Sequence, residues 1–171
     1  MKNLLIVEGE TEKKFFLDFK ENLKTPHRLY VFNLAQNKLN IEIVGKKYDL
    51  VSIVLDGDLL KDCNLELIAK NIDKLNSKKI NIYLQNKNFE DELVHAICKC
   101  KKRKDLYNLF YCKDNSADEF KKRFLKVSNL KNMKLKIDFY CFYVRNQDLK
   151  LSEIKRIKIK SGKDLFAKRY L

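Results

Sequence analysis

The chain has 171 residues, 45% of them hydrophobic and 35% charged, with only four glycines and one proline, which excludes a long disordered linker. A chain of this size buries roughly 70% of its unfolded surface, so it can build a core without disulfides, and no apolar run approaches the ~20 residues that span a bilayer. The net charge of +14 lies entirely in residues 99–171, which hold 22 Lys and Arg against 8 Asp and Glu, while residues 1–98 hold 15 of each; a one-sided basic surface points to a polyanion, nucleic acid being the commonest.

Asn3 to Val7 is a short apolar run ended by Glu8-Gly9, the pattern of a buried strand. Thr11 opens a helical stretch with Phe15, Phe16, Phe19 and Leu23 at helical spacing, broken at Thr25-Pro26. Leu29 to Leu34 predicts a second strand, and Asn37 to Val44 stays open as a further short one. Leu50 to Leu55, nearly all apolar and β-branched, is the best central strand and ends in Asp56-Gly57-Asp58. A helix with Leu65, Ile68, Ile72 and Leu75 follows, then a strand over Ile80–Leu84, then a helix capped by Asn88. The alternation predicts an α/β domain over residues 1–98 with a mostly parallel sheet flanked by helices.

Residues 99–171 read as a basic α+β extension packed on that core. They carry the run Lys101 to Lys104, a helix over 115–128 capped by Ser116, a strand over Ile137–Val144, and a closing helix after Ser161-Gly162 with Leu165, Phe166 and Tyr170. Tyr107, Phe110 and Tyr111 follow the basic run and suit either core packing or base stacking. Five cysteines, an odd number at irregular spacing, with no leader read ahead of the first strand, predict free thiols in the cytoplasm. Cys98 and Cys100 form at most a zinc half-site, because no second pair matches them.

Sites in open α/β sheets form beyond the carboxyl ends of the strands. Three strands here end in acid: at Glu8, with Glu10 and Glu12 just after, at Asp56 and Asp58, and ahead of Glu90, Asp91 and Glu92. Clustered carboxylates repel one another unless a cation neutralises them. Magnesium suits them, since it takes hard oxygen ligands, one or two carboxylates with water and phosphate. Gly9 and Gly57 beside these acids are expected to allow unusual backbone angles. Asp91 and Glu92 are expected in solvent, and His95 on its helix is expected to be structural.

Leu5-Ile6-Val7-Glu8-Gly9 followed by Leu55-Asp56-Gly57-Asp58 resembles the signature of TOPRIM domains, which have a Rossmann-like fold. The longer run Glu8-Gly9-Glu10-Thr11-Glu12 is similar to the EGxTE motif of nucleases of the overcoming-lysogenisation-defect family and of RloB-like proteins in bacterial defence, and Asn88-Phe89-Glu90 resembles a short motif of the latter. The resemblance covers residues 1–98. It implies hydrolysis of phosphodiester bonds in RNA or DNA with Mg2+ or Mn2+, in anti-phage defence. Glu8, Asp56 and Asp58 would hold the metal, and Glu12 and Glu90 would assist or orient a water. Lys13 (or Lys14), Lys87, Lys101, Lys102, Arg103, Lys104, Lys121, Lys122 and Arg123 would contact the nucleic acid. The ATPase domain found in some relatives has no counterpart, because the chain lacks a GxxxxGK[ST] run, so a separate ATPase or defence protein is the expected partner and a membrane is not.

Two other readings fit the same residues. An apolar strand ending in Asp-x-Asp also opens the phosphatases of haloacid dehalogenase type, although Asp58 is followed by Leu59-Leu60 in place of their usual Gly-Thr. The chain could equally be a non-enzymatic module that binds nucleic acid or a protein, its acids serving as loop residues and helix caps.

Overall fold

The computed structural model describes residues 2–40, 42, 45–58, 65–75, 77, 79–144 and 157–170. Its strands are β1 (Asn3–Val7), β2 (Arg28–Val31), β3 (Leu50–Leu55), β4 (Ile80–Leu84) and β5 (Ile157–Lys160). The helices are α1 (Glu10–Asp18), α2 (Leu65–Lys74), α3 (Phe89–Ala96), α4 (Arg103–Leu109), α5 (Ala117–Lys126) and the single turn α6 (Gly162–Leu165). Every strand pairing is parallel, in the order β2-β1-β3-β4-β5. This is the expected α/β architecture, Rossmann-like in its layering, with β3 at the centre of the sheet.

Side chains on a strand alternate between faces, and here both faces are buried. Leu5, Val7, Val54 and Tyr83 face one apolar layer, while Leu4, Ile6, Ile53, Leu55, Ile80 and Ile82 face the other. The second layer is closed by α2 through Ile68 and Ile72 and by Leu34, Ala35 and Leu39. Buried Asn71 pins that segment to α2: its Oδ1 accepts from the Leu39 N–H at 2.9 Å and its amide donates to the Leu34 and Asn37 carbonyls.

The first layer is aromatic. Phe15 and Phe16 of α1 and Phe19 just after it meet Phe89 of α3, Phe120 and Phe124 of α5, and Phe139, Phe142 and Phe166. Most of their rings pack at edge and tilted angles 4.7–6.2 Å apart, while Phe16 and Phe166 stack at 6.1 Å and Phe139 and Phe142 at 6.4 Å. Residues on both sides of position 98 share this one cluster, and β5 completes the sheet beside β4.

Two expectations for the basic half are corrected. Ile137–Val144 is not a strand. Phe139–Cys141 is a 3-10 turn, capped by the Asp138 side chain on the Tyr140 N–H, with single bridges at Ile137 and Asp138. Ile137, Phe139, Phe142 and Tyr143 are all buried around α1, and a strand would have turned half of a one-sided aromatic run to the far face. The closing helix is also shorter than expected. After Leu165 the backbone leaves to bond elsewhere, Ala167 N–H to the Asn22 carbonyl and Arg169 carbonyl to the Phe139 N–H.

Asn88 and Ser116 cap α3 and α5 as expected. Asn37 to Asn40 form no strand, and the rest of that open stretch falls partly outside the described residues, as does Cys63. Cys98, Cys100, Cys112 and Cys141 are free thiols. Among the described residues no helix is long and apolar enough to cross a membrane.

Candidate active site

In this strand order the chain leaves β1 in one direction for β2 and returns past it to β3. The loops after β1 and β3 therefore diverge and leave a crevice at their carboxyl ends. A cleft of about 320 Å³ lies there. Glu8, Glu12, Asp56, Asp58 and Glu90 all line it, so the structure brings together every acid singled out from the sequence.

Each acid is held differently. Glu8 is largely engaged by its surroundings, Oε1 accepting from the Asp56 N–H at 3.1 Å and Oε2 from the Asn33 amide at 3.3 Å. The first contact ties the end of β1 to the end of β3. Glu12 sits in the first turn of α1 and Glu90 in that of α3, both buried, where the helix dipole favours negative charge. Asp58 is exposed, and its N–H donates to the Lys87 carbonyl, joining the loops after β3 and β4.

Asp56 stands apart. Its Oδ1 is buried and has no hydrogen-bond partner among the described residues. Burial first, then the charges of Glu8, Glu12, Glu90 and Asp58, push its carboxyl up to about 8. Burial, opposed by the Asp56 N–H and reinforced by Glu12, raises Glu8 to about 7. Burial and the neighbouring Glu90 raise Glu12 as well, against its own backbone N–H and the Gln85 amide. The cleft thus concentrates negative charge that its own residues do not neutralise. One cation among the described residues, Lys121 of α5, lines the wall with Nζ 3.9 Å from Glu90 Oε1.

The remaining expectations sort unevenly. Of the basic residues, Lys121 lines the cleft. Lys13 pairs with Glu10, Arg103 with Asp91 and Asn88, and Arg123 with Glu119. Lys87, Lys101, Lys102, Lys104 and Lys122 are exposed. Tyr107 and Phe110 are core residues, whereas Tyr111 is 80% exposed on a left-handed backbone with φ 56°. His95 is exposed. Burial and Asp105 hold the Cys100 thiol up at about 11, so it keeps its proton.

Glu92 is corrected from solvated to fully buried. Its two oxygens accept from the Asn86 and Tyr143 N–H groups, each at 2.8 Å, and so hold Tyr143 at φ 59°. The glycine expectation is corrected too, because neither Gly9 nor Gly57 has a positive φ. Gly9 serves by size: a Cβ there would come within 3.0 Å of Glu12 Oε2, so its absence lets that carboxylate fold back over the loop.

Asn33 and Gln85 were not singled out from the sequence. Asn33 was read as part of the strand Leu29–Leu34, but the strand ends at Val31 and leaves its side chain free to reach Glu8.

Comparison with protein-family models, with curated proteins and with solved structures returned no match.

Proposed function

We propose that the chain is a Mg2+-dependent nuclease of TOPRIM type that hydrolyses phosphodiester bonds in RNA or DNA. The observation that carries this reading is Asp56: a buried carboxylate oxygen without a partner, amid four other carboxylates, at the crevice between β1 and β3. The donor set is all oxygen, which suits a hard divalent cation. Among the described residues no three His, Cys, Asp or Glu side chains are arranged to hold a metal as they stand.

Asp56, Glu8 and Asp58 would hold the ion. When bound, it supplies charge neutralisation at the phosphate and lowers the pKa of a water. Glu12 and Glu90 sit where they can orient that water or accept its proton, and Lys121 is placed to hold a phosphate oxygen. The basic residues of α4 and α5 extend the attraction beyond the cleft. The motif resemblance in residues 8–12, 56–58 and 88–90 supports a role in anti-phage defence, in the cytoplasm and beside a separate partner such as an ATPase.

The test is purified protein with labelled single- and double-stranded RNA and DNA in Mg2+, Mn2+ or EDTA. Cleavage is expected with the metals alone, and D56N should lower it by at least about a hundredfold, the scale of losing a group that acts on developing charge. Undiminished cleavage by D56N would refute the assignment. Turnover of an aryl phosphate without nucleic-acid cleavage would favour phosphatase chemistry.

One observation favours a second reading, a non-enzymatic binding module: both Glu8 oxygens already serve the fold. Salt-sensitive nucleic-acid binding without cleavage, unchanged in D56N, is its signature.

A further inference from the structure

The amino ends of the strands carry a second and larger cavity, of about 740 Å³. It is formed where β1 and β2 begin and where the chain approaches β3. This volume falls within the roughly 300–1,000 Å³ typical of small-molecule sites. It is separated from the acidic cleft by the length of β1, roughly 15 Å at about 3.3 Å per residue.

Lys2, Arg28, Lys46 and Lys47 line it, and no acid does among the described residues. All four are exposed, and none has an ion-pair partner among the described residues. Elsewhere on the surface the basic residues are often matched, as Lys14 is by Asp18 and Arg169 by Asp138. Four cations around one concavity outnumber the carboxylate beside them, Asp49, which accepts from the Lys2 backbone N–H at 2.7 Å, and so raise the local concentration of anions.

A second observation is independent of charge. Asn3 lines the same cavity and is 4% exposed. Its amide nitrogen donates to the Pro26 carbonyl at 3.1 Å, and its Oδ1, covered from solvent, has no partner among the described residues. A buried acceptor in that state costs about 1–3 kcal/mol and calls for a donor. An inorganic anion brings chiefly acceptors, so a ligand that meets both demands carries phosphate and also N–H or O–H groups.

The walls suit the uncharged part of such a ligand. Pro26 and the largely buried Tyr48 are apolar surfaces. His27 is saturated within the protein, Nδ1 against the Thr25 carbonyl at 2.7 Å and Nε2 against Ser52 Oγ at 3.3 Å, so its ring acts as wall. We propose that this cavity binds a free nucleotide, with Lys2, Arg28, Lys46 and Lys47 on the phosphates and Asn3, its amide turned toward the cavity as the ligand enters, accepting through Oδ1 from the base or sugar. The site is separate from the acidic cleft and does not depend on nuclease activity there.

Isothermal titration of the full chain with ATP, GTP, CTP and UTP, in EDTA to keep divalent ions out of the cleft, tests this. At least one nucleotide should bind with Kd of about 100 µM or tighter, about 5.5 kcal/mol. The exposed pair variant K46E/K47E should weaken it at least about tenfold, while D56N leaves it unchanged. Pyrophosphate, with charge but few donors, should bind at least about tenfold more weakly than the preferred nucleotide. The proposal is overturned by no saturable binding of any of the four. It is also overturned if K46E/K47E binds normally, if D56N abolishes binding, or if pyrophosphate matches the nucleotide. A short oligonucleotide binding there more tightly than the free nucleotide would replace it with a polynucleotide track.

Discussion

Asp56 concentrates the site's chemistry in one side chain, and its effect on stability has a definite sign. Its carboxyl ordinarily titrates at 3.8 and in the fold at about 8. The folded protein therefore holds a proton that the unfolded chain has released, and stability falls as pH rises across that interval. The cost is absent below about pH 4 and complete above about pH 8. At about 1.4 kcal/mol per pKa unit, D56N should recover at least 2 kcal/mol at pH 8.5, roughly 4 °C or more in Tm for a chain of this length. Thermal melts in EDTA should show that gain shrinking to nothing as the pH falls below about 4, and a gain independent of pH would contradict the assigned burial. Asp56 and Glu8 were legible in the sequence because each ends an apolar run, and parallel strands bring their ends to one edge. Glu92 was not. It looked like a solvated residue in an acidic first turn, and the N–H groups that draw it inward come from the loop before α3, at Asn86, and from the return of residues 139–143 across that helix, at Tyr143.

Elements were legible in proportion to how far their own pattern decides them. β1, β3 and β4 are short runs with a single polar residue each, Asn3, Ser52 and Asn81, among apolar ones, and Asn88 and Ser116 announce the helices they cap. β5 escaped notice because Lys158 and Lys160 alternate with isoleucine in a lysine-rich stretch, the look of an ordinary basic surface. The turn at 139–141 was mistaken for a strand because aromatic residues favour both sheets and cores. Gly162 shows how tightly α6 seats on that turn. A Cβ at Gly162 would fall 2.2 Å from the Phe139 carbonyl oxygen and 3.0 Å from that of Phe142, both backbone atoms unable to rotate away. G162A should therefore cost at least about 2 kcal/mol, read as a Tm lowered by roughly 4 °C or more. A melt matching the wild type would mean the turn and helix are less closely packed.

Across the whole molecule, the basic half is structural as well as charged. β5 supplies the edge of the sheet, and Leu165 and Phe166 are buried in the aromatic layer against Phe16 and Phe139. Burying two such side chains contributes about 3–6 kcal/mol, a large share of the 5–15 kcal/mol that holds a typical domain folded. A chain ended after residue 144 should show no cooperative melt by circular dichroism; one melting within a few degrees of the full chain would show residues 1–144 to be self-sufficient. The segments at residues 22–24 and 165–167 also bond directly, Lys24 N–H to the Leu165 carbonyl and Ala167 N–H to the Asn22 carbonyl. Contacts so distant along the chain form slowly, because a long loop must close first. In a growing polypeptide this seam is among the last to become possible. The nascent protein thus carries its acidic loops well before the layer that braces them, and matures only once residues 165–167 have left the ribosome.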